Sequence, residues 1–63
     1  MTDTRAFYLA RAAQSDRDAD ETSLANVRSR HLQAAEVWRG MAERLLHREK
    51  MRDLALAERE ASA

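Results

Sequence analysis

The chain has 63 residues, with one glycine, no proline and no cysteine, and its eleven Lys and Arg residues balance eleven Asp and Glu. That excludes a disulfide framework and a thiolate metal site. It leaves too little turn punctuation for an all-β chain of short strands, and it removes net charge as an argument for nucleic acid or an anionic membrane.

Hydrophobic residues make up 44% of the chain, and almost half of them are alanine; isoleucine is absent. With 35% charged residues, this Ala/Glu/Leu/Arg mixture is that of long, exposed helices. The expectation is one all-α domain over residues 1–63, too short to support a large core alone. No apolar run can span a membrane. Met1 to Arg5 lacks a basic flank leading into an apolar stretch, so no secretory signal is read and the cytoplasm is the expected compartment.

The first helix is expected over about residues 3–20, capped by Thr2, Asp3 or Thr4. Its apolar face is Ala6, Tyr8, Leu9, Ala12, Ala13 and Ala19, at spacings of three and four; Phe7 falls partly off it. Asp16, Asp18, Asp20 and Glu21 stand against only Arg17. Acids there oppose the helix dipole and predict that the helix frays or ends. The turn is placed at Asp20–Ser23, with Thr22 or Ser23 as the next cap, and a kink in one long helix is the alternative.

The second helix is expected over about 24–58. Its stripe is Leu24, Val27, His31, Ala34, Ala35, Trp38, Met41, Ala42 and Leu45, widened by Leu32 and Leu46. Residues 60–63 are expected to fray. The two helices form an antiparallel hairpin. Level pairing sets Asp16 against Arg30 or His31, Ala12 against Ala34 or Ala35, Tyr8 or Leu9 against Trp38, and Arg5 near Met41 or Ala42. The aromatics then gather at the open end. Beyond Ala42 the second helix outruns the first, which predicts completion of the core as a homodimer.

Tyr8, Leu9, Val27, Leu32, Trp38, Met41, Leu45 and Leu46 are the core or interface candidates. Asp16 and His31 read as a polar pair fixing the register; a catalytic relay through Ser15 or Ser29 lacks an oxyanion hole. Glu43 and His47, four apart, could hold a metal only with ligands from a second chain; the expectation is no metal and no cofactor. Arg28, Arg30, Arg44, Arg48 and Arg52 could follow a phosphate backbone. Interleaved acids argue against this, because Glu36–Arg39, Glu43–His47 and Glu49–Arg52 read as surface pairs along one helix. A membrane-surface helix is disfavoured by the scarcity of large apolar residues. Gly40, beside Trp38, either admits a neighbouring ring or helix or is simply tolerated. Residues 1–26 carry three bases and five acids, and residues 27–63 eight bases and six acids. Two hairpins could therefore pair antiparallel, acidic turn to basic overhang.

Leu24-Ala25-Asn26-Val27-Arg28, Arg30, Leu32, Ala35, Trp38, Met41 and Ala42 together resemble a pattern shared by short alphaproteobacterial helical-hairpin proteins of unknown function. The resemblance implies a bacterial, cytoplasmic helical hairpin and nothing catalytic. The function expected is a non-enzymatic protein–protein interaction module, partnered by itself or another helical protein. The alternative is an accessory regulator touching nucleic acid through the arginines of the second helix.

Overall fold

The computed structural model describes residues 3–62. Helix α1 spans Thr4–Glu21 and helix α2 spans Ala25–Ser62, with no strand among the described residues. The helices pack against each other as a hairpin joined by Thr22, Ser23 and Leu24.

Asp3 caps α1: it is extended (φ −79°, ψ 101°) and its carboxylate accepts from the Ala6 amide at 3.2 Å. Thr2 lies outside the described residues. Helix α1 ends at Glu21, within the expected break at Asp20–Ser23. A base from α2 reaches its last carbonyls. Arg28 donates through Nε to the Ala19 carbonyl at 3.3 Å and through Nη2 to the Thr22 carbonyl at 2.9 Å. A guanidinium on the last carbonyls satisfies orphan acceptors and offsets the negative end of the dipole.

Thr22 is extended (φ −101°, ψ 141°), and its hydroxyl accepts from the Leu24 amide at 3.2 Å. This local turn bond does without glycine. Thr22 and Ser23 were expected to cap the second helix. Instead the helix begins after Leu24, whose carbonyl accepts from the Arg28 amide at 2.9 Å. At the far end α2 continues to Ser62, past the expected end at residue 58. The Ser62 hydroxyl bonds back to the Glu58 and Arg59 carbonyls. Ala63 lies outside the described residues.

The buried residues are Ala12 and Ala19 of α1 and Ala35 and Ala42 of α2, and no buried residue is polar or charged among those described. Each pair is seven apart, so each falls on one seam of its helix, as in a coiled coil. Alanine against alanine lets the backbones approach closely and leaves larger side chains to flank the seam. Thr4, Tyr8, Met41 and Leu45 line one flank, with Arg44 and Arg48. Arg5, Leu9, Arg39 and Leu46 line the other, with Glu43.

Among the described residues two ion pairs cross the hairpin, and both differ from level pairing. Asp16 Oδ2 accepts from Arg39 Nη1 at 2.9 Å, so Asp16 takes Arg39 and not His31. Arg5 Nη1 lies 3.8 Å from Glu49 Oε2, not beside Met41 or Ala42. In each case the partner sits about two turns farther along α2 than expected. The cause is side-chain tilt. Every Cα–Cβ bond leans toward its own N-terminus. In an antiparallel pair, α1 side chains lean to the open end and α2 side chains lean back to the turn. Long side chains therefore meet partners displaced toward the end of α2. Contact with α1 in consequence reaches Glu49, not Ala42. From Lys50 to Ser62 every residue is exposed.

Candidate interaction surface

The aromatics gather as the periodicity predicts. Trp38 meets Phe7 edge-on, with centroids 6.1 Å apart at 88°, and Tyr8 at 5.8 Å and 33°. Phe7 and Tyr8 are 6.0 Å apart. The Arg11 guanidinium carbon lies 5.4 Å from the Trp38 ring centroid, a cation–π distance. Phe7 belongs to this cluster although it sits off the α1 stripe and remains half exposed.

The core or interface candidates divide. Tyr8, Val27, Trp38, Met41, Leu45 and Leu46 are half-buried along the seam. Leu9 (48%) and Leu32 (45%) are exposed. The overhang adds Met51, Leu54 and Leu56, each about half exposed or more. The buried positions are alanines that the apolar stripes include, Ala12, Ala19, Ala35 and Ala42, and the larger residues stand at the flanks.

The arginine candidates also divide. Arg28 is tied to the turn by its two carbonyl bonds. Arg30 and Arg52 are exposed, and Arg44 and Arg48 border the flank that holds Thr4 and Tyr8. Two of the surface pairs expected within α2, Glu36–Arg39 and Glu49–Arg52, give way because Arg39 turns to Asp16 and Glu49 turns to Arg5; Glu43 and His47 form no ion pair among the described residues. Arg39, Arg11 and the clamping role of Arg28 were missed. The available signal was position: Arg28 stands one turn past the break, and Arg39 adjoins Trp38 on the packed side.

Glu43, Arg44, His47, Arg48 and Gly40 line a shallow depression on the outer side of α2. A Cβ at Gly40 would meet only Arg44 Nη1, at 3.7 Å, so no ring or helix among the described residues uses the missing side chain. Among the described residues no group of three or more His, Cys, Asp or Glu side chains comes together as a metal site. No described helix is long and apolar enough to cross a membrane.

The chain matches no protein-family model, no curated protein and no solved structure. Its surfaces therefore carry the functional argument.

Proposed function

We propose that the protein is a small, non-enzymatic helical interaction module that binds a second copy of itself. The observation that carries this reading is the overhang. Residues 50–62 form helix exposed throughout, and Met51, Leu54 and Leu56 stand on it without cover from the other described residues. A lone helix of that length is marginal in water. Apolar side chains on it gain burial only from another chain. Charge supports a second copy as that chain. Asp16, Asp18, Asp20 and Glu21 near the turn oppose one Arg17, while Arg44, Arg48, Lys50 and Arg52 oppose one Glu49. An antiparallel pair of hairpins sets one stretch toward the other.

Sedimentation equilibrium in low salt tests this. A mass of two chains is expected at high micromolar concentration, falling toward one chain on dilution. The double variant Met51→Ser/Leu54→Ser should raise the dissociation constant about tenfold or more, since two exposed apolar groups lose their burial. A single-chain mass at high micromolar concentration overturns the proposal.

A further inference from the structure

On α2, successive residues advance by about 100° around the axis. On that wheel Arg30, Arg44, Arg48, Arg52 and Arg59 fall within an arc of about 80° to one side of the alanine seam, and Arg44 and Arg48 border the flank that Met41 shares with Tyr8. Their neighbours within the arc include Val37, Met41 and Ala55. All six acids of α2, Glu36, Glu43, Glu49, Asp53, Glu58 and Glu60, lie outside it. Interleaving in sequence is thus segregation in space. The ion pairs reinforce the separation. The two among the described residues draw Glu49 to Arg5 and Arg39 to Asp16, and neither uses an arginine of the arc. All five of these arginines are exposed.

We propose that this arginine stripe binds the phosphate backbone of nucleic acid without reading base sequence. Guanidinium groups suit phosphate oxygens through paired N–H donors. From Arg44 to Arg59 the stripe is about 22 Å long, which spans roughly six phosphates of one strand. Arg28, held by the Ala19 and Thr22 carbonyls, is not part of it; Arg59 is. A lipid surface fits less well, because the overhanging part of the arc offers only Ala55 as an apolar neighbour, where an interfacial helix needs large apolar groups. The stripe lies on one chain. Arg44, Arg48 and Arg52 also belong to the stretch set toward a partner's acidic turn, so duplex and second copy compete for them. Binding is measured at protein concentrations where the chain is a single copy.

Fluorescence anisotropy with a labelled mixed-sequence duplex of about 20 base pairs tests the assignment at about 50 to 200 mM salt. Wild type should bind at the lower salt, with a log–log salt slope of about −0.9 for each phosphate neutralised. Arg52→Glu should weaken binding about tenfold and flatten the slope by about one. Arg48→Glu should do the same. Lys50→Glu makes the same change in net charge but lies on the opposite side of the helix, and should weaken binding less than about twofold. Circular dichroism on each variant, expected to match wild type, separates lost contacts from lost helix. No wild-type binding at about 50 mM salt overturns the proposal. So do equal losses from Arg52→Glu and Lys50→Glu, or tighter wild-type binding to phosphatidylserine vesicles than to the duplex.

Discussion

Arg28 holds the turn from outside it. The connection between the helices has neither glycine nor proline, and no described residue has positive φ. The reversal is therefore made by extended backbone at Thr22 and fixed by side chains: the Thr22 hydroxyl on Leu24 and the Arg28 guanidinium on two carbonyls. Arg28→Ala frees those carbonyls and exposes the end of α1 to its own acids. A loss of about 1 kcal/mol is expected in urea unfolding, the usual size for a charge-assisted bond at a partly solvated site. Gly40 predicts the opposite sign. It is mid-helix, and an added methyl meets only the end of the flexible Arg44 side chain. Gly40→Ala should stabilise by about 1 kcal/mol in the same assay, through the smaller entropy of the unfolded chain. Trp38 joins three side chains, Phe7, Tyr8 and Arg11. It is only half-buried, so Trp38→Ala should cost about 2 kcal/mol, below the range for a fully buried aromatic.

The two helices and the turn between them were legible in the sequence because spacings of three and four persist on both sides of a single break at Thr22 and Ser23. The aromatic cluster was legible for the same reason. The ion pairs were not. Level pairing treats each residue as acting at the height of its Cα, and Arg39 and Arg5 reach well beyond theirs. Four of the stripe's five arginines, Arg30, Arg44, Arg48 and Arg52, were legible as phosphate candidates; Arg59 was not, because along the chain acids such as Glu49 and Asp53 alternate with the arginines until the wheel separates them. The structure carries α2 to Ser62, four residues past the expected end at residue 58. Ala, Leu, Glu and Arg favour helix without packing, and the segment 50–62 consists largely of them. Element by element, then, backbone protection should divide at Glu49. In dilute solution, amides of residues 50–62 should exchange far faster than those of residues 29–46, since helix without tertiary cover opens locally. Hydrogen exchange with peptide-level readout measures this. Uniform protection along α2 at low protein concentration would show that the overhang has a source of stability other than association.

At the scale of the whole molecule, the balance of charge conceals two opposed faces, and the small core is spread along a seam instead of gathered at a centre. The extents are 60 × 22 × 10 Å, and the radius of gyration is 16.9 Å. A compact domain of this length would have about 11 Å. A globular chain reaching 16.9 Å would contain roughly two hundred residues. A gel-filtration column sorts by hydrodynamic size, so a single copy of this rod elutes ahead of globular standards of equal mass. Nuclear relaxation carries a related bias: helical N–H bonds lie near the long axis and are reoriented mainly by end-over-end tumbling, the slowest rotation of a rod. Elution volume and rotational correlation time would both make one chain resemble an assembly, so stoichiometry for this shape has to come from mass itself, by light scattering or sedimentation equilibrium.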